Sequence, residues 1–335
     1  MKQKSFSIPA MSILGILGLI FTAVADLMLS SYITSVISFI FLYMILAVSL
    51  NITNGFTGLF SLGHPAFMSI GGYVAALLIL PVFRKEFFLP DLPSWLAVQQ
   101  WPFFPAILVG GIVAALVAVI IGYPVLRLKG HYLAVATIGT IFIVRVVLKN
   151  TEELTRGALG LNGLGFLSSI WWIYLWLVIT VYVAWKLKFS SWGRTMLALS
   201  ENEMAASCLG INTTMVKIAA FVIGAFFAGI SGGLWAHLTT VITPESYSLG
   251  LAFNLVVMVV IGGSGSISGA LIAAGGISLL VEYLRPLEEA LGMYGLGQIL
   301  ISAALLLVLI FRPKGLFGTG ELSILRKEIT YRSAR

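Results

Sequence analysis

Apolar runs close to twenty residues long recur from one end of this chain to the other, and nothing else in the sequence limits the fold so sharply. In a helix each residue rises about 1.5 Å, so about twenty residues cross a hydrocarbon core roughly 30 Å thick. Lipid offers the backbone no hydrogen-bond partner, so these runs are predicted to be helices that satisfy their own N–H and C=O groups. A transmembrane barrel would instead show segments of about ten residues with alternating polarity. Of the 335 residues, 59% are hydrophobic and 10% charged, against about 25% charged in an ordinary soluble domain. A water-soluble fold of this size could not bury that much apolar surface.

Ten apolar segments can be marked, at 8–28, 32–50, 62–81, 102–122, 130–148, 169–186, 217–235, 249–262, 267–284 and 293–311. The expected fold is therefore an all-α polytopic membrane protein with about ten transmembrane helices and both termini on one side. Under an N-inside arrangement fourteen of the twenty Lys and Arg fall on the inner side, among them Lys2, Lys4, Arg127, Lys186, Lys188, Arg194, Lys217 and Arg312. That is the bias that places both termini in the cytoplasm. The segment at 249–262 is short and runs into GGSGSISG, so 249–271 reads either as a short helix packed tightly at the domain centre or as a broken pair of half-helices. The first segment follows Lys2 and Lys4 but is long and leads at once into further spans, so it reads as an uncleaved helix.

Several function classes fall away on composition. The formal charge of +7 is spread singly between apolar segments and forms no basic patch interleaved with aromatics, which argues against nucleic-acid binding. A single cysteine, Cys208, excludes an intrachain disulfide and a four-cysteine metal site. His64, His131 and His237 are too scattered to suggest a metal centre, so no metal site and no catalytic residues are assigned. No glycine-rich loop leads into Lys and Ser or Thr, so any ATP dependence belongs to another subunit.

Residues 186–217 are too polar to cross a membrane, yet Trp192, Met196, Leu197, Met204, Ala205 and Leu209 can give one or two short helices an apolar side. Ser200 with Glu203 three residues on is a capping-box signature, predicting a short amphipathic helix over 201–209 that stops at Gly210. Such a helix either joins two spans or docks its apolar side in a groove on a soluble partner. The residues Gly193, Arg194, Ala198, Glu201, Asn202, Glu203, Ala205, Ala206, Gly210, Ile211 and Asn212 follow the G-R-x-x-x-A-x-x-E-N-E-x-A-A-x-x-x-G-I-N pattern. This resembles the cytoplasmic loop of LivM-type permease subunits of branched-chain amino acid ABC importers.

The likeness continues along the chain. Asn51, Gly55, Gly58, Ser61, Leu62, Gly63, His64, Ala66, Phe67, Ile70, Gly71 and Tyr73 match a second pattern of that family. Gly130, Tyr132, Ala134, Thr137 and Gly139 match a third, and Thr155, Gly157, Gly160 and Leu161 a fourth. The glycine cluster Gly262, Gly263, Gly265, Ser266 and Gly269 and the R-P-x-G-L-F run at Arg312, Pro313, Gly315, Leu316 and Phe317 complete it. The resemblance implies one transmembrane permease domain over 1–335, with a cytoplasmic coupling loop at 187–216 and a short, solvent-exposed cytoplasmic tail at 312–335. It also implies that the coupling loop receives ATP-driven motion from a cytoplasmic ATPase.

Asn51, Asn54, Gly55, Gly58, Ser61 and His64 interrupt two strongly apolar runs, and with Tyr73, Tyr132 and Thr137 they are the candidates for a conduit or gate. Polar backbone at a membrane boundary must be wet, capped or packed on protein, so a tight inner turn that binds nothing is the competing reading. His64 would titrate near neutral pH if accessible; otherwise it is a fixed hydrogen-bonding residue. Thr140, Asn254, Ser266, Ser268 and Ser278 are further groups for hydrogen bonding inside the bundle, while Asp26 and Glu282 lie near helix ends.

The resemblance implies a permease subunit of a binding-protein-dependent ABC importer in the bacterial inner membrane, moving branched-chain amino acids by alternating access. Its implied partners are a related second permease, two ATPases that carry ATP and Mg, and an extracytoplasmic binding protein; this chain itself binds no cofactor. A urea or short-amide permease is the alternative within the family pattern. An ion-coupled secondary transporter would need buried acidic residues that are sparse here, and a membrane enzyme would need a nucleophile, base and oxyanion group that cannot be placed together.

Overall fold

The computed structural model describes residues 8–128, 130–293 and 295–321. Its helices in chain order are α1 (Ile8–Met28), α2 (Ser31–Thr57), α3 (His64–Ile79), α4 (Val82–Phe88), α5 (Ser94–Ala97), α6 (Phe103–Val125), α7 (His131–Asn150), α8 (Glu152–Thr155), α9 (Ile170–Phe189), α10 (Ser191–Glu201), α11 (Glu203–Cys208), α12 (Thr213–Thr239), α13 (Leu249–Gly262), α14 (Ile267–Leu291) and α15 (Leu296–Phe311). Two short strands, β1 (Leu161–Asn162) and β2 (Val241–Ile242), pair antiparallel.

The expectation of about ten transmembrane helices is overturned. Among the described residues six helices (α2, α6, α7, α9, α12 and α14) are long and apolar enough to cross a membrane, or seven if the bent pair α3 and α4 counts as one span. The apolar helices α13 (Leu249–Gly262) and α15 (Leu296–Phe311) fall short, at 14 and 16 residues, and α1, 21 residues long, enters the count only through its stretch Gly15–Met28. Counting apolar runs overstates spans because a run need not be one continuous helix. At about 1.5 Å per residue, fourteen to sixteen residues reach only some 21–24 Å of a roughly 30 Å core.

At the centre of the bundle α12 packs against α2, α3 and α6. Small side chains make the approach close: Ala75, Ala76, Ala114, Ala225 and Ala228 are buried, and Gly229 faces Gly71 and Gly110. The outward faces of α6, α7, α14 and α15 carry exposed Leu, Ile, Val and Phe, as expected of helices surrounded by lipid or by other apolar subunits.

At one end the chain turns through 116° between α3 and α4, where Pro81 cannot donate a backbone hydrogen bond. Lys85 in α4 is fully buried and donates to the carbonyls of Leu96 (2.9 Å) and Gln99 (2.5 Å), tying the 89–101 connection down. At the same end β1 and β2 join the connection after α7 to that after α12, and Lys149 pairs with Glu245 at 2.5 Å. Arg156 adopts a left-handed conformation, lies 4.4 Å over the Phe88 ring, and donates to Asn162 at 2.9 Å. At the other end lie α10, α11, the α2–α3 connection, and a break at residues 263–266 between α13 and α14.

Candidate functional site

Residues 186–217 carry two short helices, α10 and α11; the helix predicted over 201–209 is α11, which starts two residues later, at Glu203, and its cap is not where the capping box put it. Ser190 begins α10 by accepting from Gly193 N at 3.1 Å, and Ser200 lies inside that helix with its hydroxyl donating back to the Leu197 carbonyl. The break comes at Asn202, whose extended backbone and Oδ1, accepting from Ala205 N at 3.0 Å, start α11. A Ser can cap only from outside the helix, and α10 has already enclosed this one. Glu203, the other half of the expected box, instead takes a hydrogen bond from Lys217 of α12 at 2.5 Å. Asn212 repeats the capping device for α12, accepting from Met215 N at 3.1 Å.

The motif residues of this pair divide by role. Gly193 is buried where α10 folds against α9; a Cβ there would press on the Leu187 and Lys188 carbonyls, so the corner requires glycine. Met196, Leu199 and Ala206 are buried and seat the pair on the bundle, and Ile211 is half-buried with its N–H on the Ala206 carbonyl. Arg194, Ala198, Glu201 and Ala205 are exposed, as are Gly210 and the large apolar side chains of Trp192, Met204 and Leu209.

Of the residues singled out as a conduit or gate, the structure gathers most around the α2–α3 connection. Asn51 is buried and clamps the break with both ends of its amide, donating to Ser266 O and accepting from Gly265 N, each at 2.8 Å. Gly55 lies against Gly265 on the same face. Asn54 exchanges hydrogen bonds with Ser61, donating to its carbonyl at 2.9 Å and accepting from its N–H at 3.2 Å. Thr137 of α7 closes the turn from the other side, accepting from Leu62 N at 3.0 Å. Gly58 ends α2 in the left-handed region at φ 70°, and a Cβ there would stand 3.1 Å from Ser200. The end of α2 thus touches α10 directly.

Three candidates behave otherwise. Tyr132 is 76% exposed on the outer surface of α7, and Tyr73 is buried farther along α3 with its hydroxyl unpartnered among the described residues. His64 was expected to be a titrating or a fixed hydrogen-bonding group. It is fully buried between α2 and α12, beside Thr53, Gly224 and the Ser49 carbonyl, which is the nearest backbone group for its ring to bond, so it is placed as a packed interior residue and is not accessible to solvent.

Two clefts flank the last turn of α2. One, of about 330 Å³, lies between Asn54, Gly55 and Gly58, the α10 residues Ser200 and Glu201, and Ser264 and Thr319. The other, of about 490 Å³, is bounded by Thr57, Gly130, His131, Leu199, Asn202, Glu203 and Lys217.

The segment after α15, expected to be an exposed tail, is folded in as far as residue 321. Leu316 N and Phe317 N donate to the Ile261 and Gly262 carbonyls at 2.9 and 3.2 Å. Glu321 accepts from Ile267 N and Ser268 N, both at 2.9 Å, and pairs with Lys188 at 2.5 Å, both side chains being 6% exposed. The rest of the expected tail, 322–335, lies outside the described residues. Sequence reading missed Lys188, Lys217 and Glu321 as site residues; the R-P-x-G-L-F run was the signal that something beyond α15 is held in place.

A bundle with six or seven helices long and apolar enough to cross a membrane among the described residues, its polar groups gathered at one end beside an exposed amphipathic helix pair, is the architecture of an integral membrane protein. Residues 32–310 match the family described as "Branched-chain amino acid transport system / permease component", and the chain belongs to that family. It is similar to the high-affinity branched-chain amino acid transport system permease protein LivM of Salmonella typhimurium, at 31% identity over 309 residues, covering 82% of this chain and 67% of the relative. LivM of Escherichia coli strain K12 is 30% identical over the same shares. The LivH permease protein of Salmonella typhimurium is 27% identical over 303 residues, 83% of this chain and 92% of the relative. No solved structure matches the chain. The protein is a multi-pass membrane permease component of a transport system.

Proposed function

We propose that this subunit carries branched-chain amino acids into the cytoplasm by alternating access within a binding-protein-dependent ABC importer. A related second permease, two ATPases and an extracytoplasmic binding protein complete the assembly. In this reading α10 and α11 are the coupling element: their uncovered side docks in a groove on the ATPase, and their rooted side passes motion to the clefts around α2.

The observation that carries the reading is the two-sided character of this helix pair. Trp192, Met204 and Leu209 are more than half exposed, while Met196, Leu199 and Ala206 are buried. A free apolar side on a polar connection is costly in water unless a partner covers it. The contact of Gly58 with Ser200 gives motion of α10 a direct route to α2. Coupling also requires that the two states of the ATPase make different contacts with this pair. Nothing in the matches favours a urea or short-amide substrate.

The test is ATP hydrolysis by the reconstituted complex as leucine-loaded or urea-loaded binding proteins are added. Stimulation by the leucine-loaded partner, lost when Glu201 and Glu203 are replaced, is expected. Stimulation only by the urea-loaded partner would overturn the substrate, and stimulation untouched by changes in α10 and α11 would overturn the coupling role.

A further inference from the structure

The break at residues 263–266 leaves the last carbonyls of α13 and the first N–H groups of α14 without intrahelical partners. Buried in a membrane protein, such groups must be met from elsewhere in the chain. The structure meets them from three directions. Asn51 of α2 holds Gly265 N and Ser266 O. Leu316 and Phe317 donate to the Ile261 and Gly262 carbonyls. The Glu321 carboxylate takes Ile267 N, Ser268 N and the Ser268 hydroxyl (2.6 Å), where the positive end of the α14 dipole favours an anion.

Lys188 closes the arrangement. Its ammonium donates to Glu321, to Gly265 O at 2.6 Å and to Thr319 O at 3.2 Å, using all three of its protons. Lys188 lies in the last turn of α9, two residues before the Ser190 that caps α10. The same ammonium therefore ties the root of α10 to the break, while the far end of α10, at Ser200 and Glu201, faces Ser264 and Thr319 across the 330 Å³ cleft.

We infer that Lys188 and Glu321, with residues 315–321, form a clasp that locks the α13–α14 break to the root of α10, so that displacement of α10 and α11 reaches this cleft instead of dissipating at a loose joint. Lys188 and Glu321 are positioning residues; neither need touch the transported molecule. The inference rests on the coupling role proposed for α10 and α11.

A buried pair stripped of one member leaves an uncompensated charge, so Glu321→Ala could fail to fold for reasons unrelated to coupling. The decisive variant is K188M/E321Q, which removes both charges at similar volume, measured in the complete reconstituted complex for leucine uptake and ATP hydrolysis together. The clasp predicts that ATP hydrolysed per leucine moved rises at least about fivefold, the lower end of ordinary site-to-site coupling. An unchanged ratio in the assembled double variant would show that the pair serves stability alone and would overturn the inference.

Hydrogen exchange on the complex carrying Glu321→Asp supplies a readout independent of transport, because the shortened carboxylate keeps its charge but withdraws from the helix end. Faster exchange both at 264–270 and at 191–201 is expected; a change confined to 315–321 would sink the clasp. If the unaltered complex shows no stimulation by leucine-loaded binding protein, the importer reading fails, and the exchange pattern still decides whether the clasp exists.

Discussion

Lys217, near the start of α12, holds Glu203 of α11 at 2.5 Å, and of the two only the lysine is buried, at 7% exposure against 41%. The pair fastens the second helix of the exposed pair to the central helix of the bundle. Its asymmetry means that the two ways of breaking it are not equivalent.

Glu203→Gln leaves a buried ammonium without its counter-charge, with at most an amide oxygen to donate to, whereas Lys217→Met leaves a carboxylate that water can reach. The first should cost about 1–2 kcal/mol, discounted from the several kcal/mol of a fully buried pair, and the second less than about 1 kcal/mol. Thermal unfolding of the detergent-solubilised complex at a fixed scan rate checks the order; equal or reversed losses would contradict the burial of Lys217.

Asn51 uses donor and acceptor ends of one amide on neighbouring backbone groups of the break. Asn51→Leu should therefore destabilise by about 2–3 kcal/mol, two lost hydrogen bonds with Gly265 N left unpaired, while Ser266 O keeps the bond from Ala270 N. Asn51→Asp, nearly isosteric, should be no milder, because it loses the donor and buries a charge. Full stability in Asn51→Asp would mean that the buried acid is held neutral, its O–H replacing the amide donor to Ser266 O.

Gly58 and Gly210 both have positive φ, but only Gly58 has a neighbour in the way. A Cβ on Gly58 would stand 3.1 Å from Ser200, while one on Gly210 meets nothing within 4 Å. Gly210→Ala should cost only the backbone penalty of about 1–2 kcal/mol, whereas Gly58→Ala should also displace α10 and reduce binding-protein-stimulated ATP hydrolysis. Equal effects of the two changes on stimulated hydrolysis would remove the proposed mechanical contact between α2 and α10.

Glu245, on the connection after β2, is held below its ordinary carboxylate pKa of 4.5, chiefly by its hydrogen bond from Lys149. A depressed pKa contributes stability that is present above the unfolded value and is lost as pH falls through the folded value. The stability difference between the native chain and Glu245→Gln should then be constant from neutral pH down towards about 4.5 and be lost progressively as pH falls from there through the lowered folded-state value. Both side chains are well exposed, at 40% and 53%, so the difference should not exceed about 0.5 kcal/mol. Melting curves at stepped pH test it; a difference that grows on acidification would reverse the sign.

Much of the candidate site was legible because its signals are local. The polar interruption from Asn51 to His64 could be read as a special connection from residue type alone, and there Asn51 holds the 263–266 break, Asn54 bonds Ser61, and Gly58 packs against Ser200. The existence of an amphipathic element around 190–210 was legible from its apolar spacing. The position of its cap was not, since Ser200 and Asn202 are both acceptable caps and the choice depends on where α10 stops. Tyr132 matched a family pattern and yet lies on the outer surface of α7, because a pattern fixes neighbours along the chain but not the direction a helix faces.

By itself the sequence determined that the chain lives in a membrane as a helical bundle, because apolar run length and backbone hydrogen bonding are properties of a single segment. It also carried the family, through motifs short enough to be read one at a time. Only the tertiary structure decided how many helices are long enough to span and which buried charges meet. Lys188 and Glu321 are 133 residues apart, and no local rule pairs them. They meet because a broken helix, an ammonium and a carboxylate each need a partner away from water, and only the packed bundle brings all three together.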